Sequence, residues 1–332
     1  MSGAIHIETD YARGTVYPTG ALFTGIEFKI PSGRWVKPMA TAPWGEVLDP
    51  EIPGHLRRLG GEFFCLPFGG GGTVRDPVAG WENLVTAPTN EPMHGPAANE
   101  DWTFIAQEAH SVRLSLDLPD EYAVSRIERC IALGTDRPFT RSTVSLEIRR
   151  DGRVPLAFHP ILRLPEELSR LELSADFAQG FTYPALIEPD RMACEPGKTF
   201  ASLQHVPKRR GGSVDLSHLP LGPRVDDVVL LAGMNGPLRA AFHDDGYELT
   251  VDWPRSLLPH CLVWIHDRGI DVPPWNASYR GIGIEPLASA FDAPWAVSEG
   301  ENPLAKAGFP TALALSAGGP VELFCDLSVA AL

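Results

Sequence analysis

Much of the chain is ordered by a period of two. Leu22, Thr24, Ile26, Phe28 and Ile30 share one side of an extended run, and Pro31-Ser32-Gly33 turns the chain after it. Residues 112–118 alternate apolar and polar side chains up to the break at Pro119-Asp120, and a second run spans 124–133. A third run places Val144, Leu146 and Ile148 on one face. Asp151-Gly152 then precedes Val154, Leu156 and Phe158, a pattern that predicts a hairpin. Asp244-Asp245-Gly246 predicts another, leading into Tyr247, Leu249, Val251 and Trp253. Further strands are expected over 225–231, over the continuous apolar run 261–265, over 279–287 and over 321–327. Helical period persists nowhere for three turns; single turns are expected near 55–59 and 165–171. The segments 86–100, 198–223 and the stretch between Glu285 and Val321 read as loops. Short strands spaced by turns predict an all-β class, a large sandwich or barrel. No linker or fixed repeat divides the chain, so one domain is expected over 1–332.

Two strand ends carry chemistry. In Tyr279-Arg280-Gly281-Ile282-Gly283-Ile284-Glu285-Pro286-Leu287, Ile282 and Ile284 face one way and Gly281, Gly283 and Glu285 the other. Glycines beside a carboxylate leave space around it, and Pro286, without an N–H, is expected to end the ladder. In 154–159, Val154, Leu156 and Phe158 share a face while Ala157 and His159 share the opposite one, with Pro160 as the stop. Met93-His94-Gly95 lies in a Pro/Gly-rich loop, where function often resides. Taken singly these are a bend with a solvated Glu and ordinary surface histidines. Gly69-Gly70-Gly71-Gly72 leads into Thr73-Val74-Arg75; a phosphate loop would need a Lys and a helix there, so a turn delivering Arg75 is expected instead.

Composition narrows the partners. A formal net charge of -14 opposes phosphate backbones and anionic lipid, so neither nucleic acid nor a membrane is expected as a partner. The dense basic run Lys208-Arg209-Arg210 is followed by Gly211-Gly212 and reads as a solvated loop. Gly and Pro, 32 of each, supply the many turns that short strands require. The five cysteines are scattered without a C-x-x-C pair, which argues against a disulfide framework or structural zinc. The first residues lack a basic region followed by an apolar run, and no run of about 18 apolar residues occurs. A cytoplasmic setting is expected.

Met93-His94-Gly95, then His159-Pro160-Ile161-Leu162-Arg163-Leu164, then Gly283-Ile284-Glu285-Pro286 resemble, in order and rough spacing, the aldose 1-epimerase (galactose mutarotase) family. Asp226, in Val225-Asp226-Asp227, resembles that family's Asp before a strand, Arg75 its Arg upstream of the His-Gly loop, and Trp264 has a counterpart. Ile161 departs from the aromatic usual at its position, and Met93 from the usual polar lead-in. The resemblance spans roughly 20–330 and implies a large antiparallel β-sandwich with a sugar cleft on one sheet.

Mutarotation needs a base for the anomeric hydroxyl and an acid for the ring oxygen, with the roles reversed on closure and no cofactor or metal. A carboxylate and an imidazole can both be tuned to share this work. The expected roles are Glu285 as base, His159 as acid, His94 as donor to the ring oxygen or a neighbouring hydroxyl, and Asp226 and Arg75 as holders of sugar hydroxyls. Trp275 and Tyr279 are candidates to stack on a sugar face. The two proton-transfer groups are expected one sugar ring apart, too far for a direct hydrogen bond. Two alternatives use the same residues: a sugar-binding protein of the same fold without turnover, and a double-stranded β-helix metal enzyme ligated by His94, His159 and Glu285.

Overall fold

The computed structural model describes residues 3–45, 49, 51–70, 74–87 and 92–332. Gly71, Gly72 and Thr73 of the glycine run, and Pro88 of the loop 86–100, lie outside the described residues.

Alternation builds two large antiparallel sheets that bury their facing sides against each other. One has nine strands, in the order His218–Leu219, Leu171–Ser174, Leu238–Phe242, Tyr247–Asp252, Val321–Ala331, Phe139–Ile148, Val124–Leu133, Ser111–Asp117 and Thr103–Gln107. The other has eight: β1 (Phe64–Cys65), β2 (Leu156–Phe158), β3 (Ile161–Leu162), β4 (Phe177–Thr182), β5 (Thr199–Phe200), β6 (Val225–Met234), β7 (His260–Asp267) and β8 (Arg280–Ala288). Their spatial order is β5-β4-β6-β7-β8-β2-β1, with β3 also on β8. This is the all-β antiparallel sandwich expected from the sequence. A smaller four-stranded sheet near the N-terminus includes Phe23–Lys29.

The second sheet is covered on both faces, each by its own hydrophobic cluster. Cys261, Val263 and Ile265 of β7, with Ile282 and Ile284 of β8, belong to the core between the sheets. Leu262 and Leu287 belong to a separate cluster on the outer face, together with Phe63, Phe68, Tyr183 and Phe291. That outer face is where the period of two sends Asp226, Trp264, Glu285 and His159.

Several expectations are corrected. Asp151-Gly152 does not close a hairpin: Gly152–Val154 pairs with Leu313–Leu315, and the chain then enters the other sheet at β2. Pro155 explains the break, since it has no N–H to continue the ladder, and Asp151 instead accepts from the Ala317 N–H at 2.8 Å. Asp244-Asp245-Gly246 does close its hairpin, with Gly246 in the left-handed region at φ 64°. Residues 166–169 form bends and a turn without helix, whereas the turn near 55 is helical over Gly54–Arg57 (α1). The loop 86–100 contains a short helix, Gly95–Asn99 (α2), and two more, Trp295–Glu299 and Pro303–Lys306, interrupt the loop expected between Glu285 and Val321. Pro286 does not end β8, which runs to Ala288. Ile284 N–H donates to Pro160 O, so alternate N–H groups of β8 point toward β2 and β3. Position 286 faces Phe158, the last residue of β2, and β8 continues past it because its other edge stays paired with β7, Cys261 opposite Pro286.

Of the five cysteines, all free, four are buried and Cys130 is partly exposed. No helix among the described residues is long and apolar enough to cross a membrane.

Candidate functional site

The register of β8 against β2 and β3 positions the two proton-transfer candidates. Ala157 lies opposite Leu287 and Ile161 opposite Gly283. The same register carried through the junction puts His159 opposite Glu285. Directly opposed residues on one face are close enough for their side chains to touch. His159 Nε2 and Glu285 Oε1 accordingly lie 3.4 Å apart, both side chains almost fully buried. The expected separation of one sugar ring is thus corrected to direct contact.

Gly283 is required by this geometry. A Cβ at that position would fall 2.3 Å from Glu285 Oε1, so the carboxylate itself fills the space the glycine leaves. At Gly281 the corresponding space is bounded by Ile161 and Tyr279. His159 is held from behind: its N–H donates to Phe63 O at 2.8 Å and its ring stacks on Phe63 at 4.6 Å.

His94 sits at the N-terminus of α2 in the left-handed backbone region, φ 66°, an uncommon state for a non-glycine residue. Gly95 follows at φ 70°, and a Cβ there would lie 2.4 Å from Leu66 O, so only glycine fits. The Asn99 amide clamps the turn by donating to Met93 O at 2.8 Å and Gly95 O at 2.7 Å. The His94 ring meets that of His159 edge-on at 5.2 Å and that of His55 at 5.1 Å.

These groups line a cavity of about 450 Å³ on the outer face of the sheet, within the size range of small-molecule sites. Asp226 and Trp264 also line it, tied together by Trp264 Nε1 donating to Asp226 Oδ1 at 2.9 Å. His266 Nδ1 lies 3.1 Å from the same oxygen. Trp275 lines the cavity as well, while Trp81 packs on Phe291 and Trp102 donates to Ala97 O. Tyr279 does not reach it; fully buried, it stacks behind Trp264 at 6.1 Å. Arg75 is exposed and pairs through its backbone with Leu186, and its neighbour Val74 is the residue that lines the cavity.

Sequence reasoning missed His55, Asp292 and Tyr183, which all line the cavity. His55 sits on a single helical turn and Asp292 in a segment with no period, so neither gives a pattern to read. Tyr183 lies beside Asp292, whose Oδ1 is buried without a hydrogen-bond partner.

Burial sets the charge state. It lowers the His159 pKa to about 3 and the His55 pKa to about 4, and holds His94 well below the usual histidine range. Burial, with the nearby Asp292 carboxylate, pushes Glu285 well above the usual carboxylate range. The His159–Glu285 pair therefore favours a neutral imidazole beside a carboxylic acid. Among the described residues no three His, Cys, Asp or Glu side chains converge on a point suited to a metal ion.

No family model matches the chain, and no curated protein does. Solved structures do resemble it. A candidate aldose 1-epimerase of Escherichia coli K12 superposes with a TM-score of 0.65 at 15% identity, covering 99% of both chains. An aldose epimerase homologue of C. elegans gives 0.63 at 14% identity, covering 100% of both. A galactose mutarotase-like protein of Lactobacillus casei gives 0.60 at 15%, over 98% of this chain and 100% of the other. The chain has the galactose mutarotase-like fold, and the resemblance read from its motifs holds at the level of the fold.

Proposed function

We propose that the protein is a mutarotase, interconverting the α and β anomers of an uncharged aldose by acid–base catalysis. The observation that carries this reading is the buried contact of 3.4 Å between His159 and Glu285 on the cavity wall. The anomeric hydroxyl and the ring oxygen are bonded to the same carbon. Two proton-transfer groups side by side can therefore address both oxygens at once, which groups one ring apart do less directly.

The resting charge state changes the order of the roles. With Glu285 as the acid and His159 neutral, Glu285 donates to the ring oxygen while His159 Nε2 accepts from the anomeric hydroxyl. The ring opens, C1 rotates, and on closure each group does the reverse. The assignment made from sequence describes the same pair after the first proton exchange. Asp226 and His94 hold hydroxyls, and Trp264 or Trp275 offers an apolar face to the ring.

The active form holds one proton on the pair. Protonating His159 as well requires a pH near 3, and removing the Glu285 proton requires a pH above the usual carboxylate range. The pH profile of kcat, at saturating sugar, should consequently stay level through the ordinary carboxylate pKa of about 4.3 and decline only toward pH 3 and on the alkaline side. An acid limb centred on that ordinary value would contradict the proposed charge state.

Among the described residues the cavity lining includes Asp226, Glu285, Asp292 and Glu188 and no Lys or Arg. Arg191 and Arg224, toward the Ile270–Val272 rim, are both engaged by Asp271. Optical rotation of freshly dissolved α-anomers, compared with and without protein, tests the function. At least one neutral aldose should equilibrate faster. Its phosphate ester should show kcat/KM lower by at least about tenfold, because an unpaired dianion is costly to desolvate beside carboxylates. Sugar binding without acceleration would identify a binding protein of this fold instead.

A further inference from the structure

We infer that His55 is a specificity-determining residue of this site, presenting a bare Nε2 lone pair that accepts a hydrogen bond from a non-reacting sugar hydroxyl. The inference rests on the mutarotase reading for the class of ligand, and on hydrogen-bond bookkeeping for the chemistry.

Asn99 fixes the tautomer of His55. Its amide nitrogen donates to two backbone carbonyls, Met93 O at 2.8 Å and Gly95 O at 2.7 Å. Both partners are acceptors only, so the amide cannot be turned round, and Oδ1 is fixed toward His55. Asn99 Oδ1 lies 2.9 Å from His55 Nδ1. An oxygen that can only accept forces Nδ1 to carry the proton.

His55 is 5% exposed, and burial keeps its ring neutral, with its pKa lowered to about 4. A neutral ring protonated at Nδ1 is bare at Nε2. Among the described residues no hydrogen bond to Nε2 is formed, although the ring lines the cavity. Its edge-on neighbour is His94, 5.1 Å away, and His94 in turn meets His159 at 5.2 Å. His55 is thus one imidazole removed from the reacting pair, placed for a hydroxyl elsewhere on the ring. Asn99 has two positioning tasks: it sets this tautomer, and it braces the strained Met93-His94-Gly95 turn.

The test uses His55→Phe, which keeps a buried ring and removes the acceptor. Its KM for the best neutral aldose should rise about 5- to 30-fold while kcat stays within about threefold, the signature of lost ground-state binding. A series of deoxy sugars, each lacking one hydroxyl, separates a specific contact from general damage. One member should bind the wild type more weakly than the parent sugar yet bind His55→Phe as well as the parent does, a double-mutant cycle between residue and hydroxyl. Dissociation constants from calorimetry give the same cycle without turnover. A protein that binds but does not convert the sugars would therefore end the mutarotase reading and leave this inference standing on its cycle. An equal penalty for every sugar, or none, would overturn the inference, as would a nitrogen-15 NMR spectrum showing the His55 proton on Nε2. Absence of both binding and turnover across the panel would remove both readings.

Discussion

Glu285→Gln should lower kcat/KM by about 10²- to 10⁴-fold, the usual weight of a general acid–base group, while the dissociation constant for the sugar changes only severalfold. The substitution is nearly isosteric. Its amide fits the space over Gly283 that the carboxyl occupies, where a Cβ would come within 2.3 Å of Oε1. What is lost is the exchangeable proton. Because burial already favours the uncharged carboxylic acid, replacing it with a neutral amide leaves no unpaired charge behind, so folding should be preserved. His159→Asn removes the other half of the pair and should cause a somewhat smaller loss, since Glu285 and His94 continue to line the cavity. Rates from polarimetry and dissociation constants from calorimetry, measured on the same preparations, decide the matter. Full activity in Glu285→Gln would refute the mechanism outright.

The part of this site legible in the sequence is the part written in strands. Alternation put Ile282 and Ile284 toward the core between the sheets, and Gly283 and Glu285 toward the outer face, because a pleated strand enforces that division whatever its neighbours. The same rule placed His159 opposite Phe158. What alternation cannot supply is register between strands remote in the chain, so the opposition of His159 and Glu285 was unreadable and their separation was overestimated. Loops hid the rest. Arg75 follows a glycine run with no period to orient it, and its side chain is exposed. His55 owes its tautomer to an amide 44 residues away. Asp151-Gly152 failed for a related reason: a local turn signal lost to pairing with Leu313–Leu315, a partner no local pattern announces. Helices as short as Gly95–Asn99 fall below the span over which a 3.6-residue period can be recognised.

Arg129→Met should destabilise the fold by about 3–5 kcal/mol, the penalty for breaking a buried ion pair from one side. Arg129 is 0% exposed and Glu62 is 1% exposed. The guanidinium pairs with the Glu62 carboxylate, donates to Ala21 O at 2.9 Å, and donates to Ser142 Oγ at 3.1 Å. Ser142 in turn donates to the same carboxylate oxygen at 2.7 Å. Arg129 and Ser142 belong to adjacent strands of the nine-stranded sheet, whereas Glu62 bridges to Phe23 and precedes β1, so the cluster ties one layer to the other. Methionine keeps most of the volume but leaves Glu62 Oε2 with only the serine, and Oε1 already has no partner. Adding Glu62→Gln should recover a large part of the loss, because the remaining buried group is then uncharged. Urea unfolding of the two single variants and the double variant measures the coupling directly. The cluster also touches function, since Phe63, the next residue after Glu62, accepts the His159 N–H and stacks on its ring. If Arg129→Met loses less than about 1 kcal/mol, the pair is not the buried tie described here, because even a neutral hydrogen bond left unmade in the core costs that much.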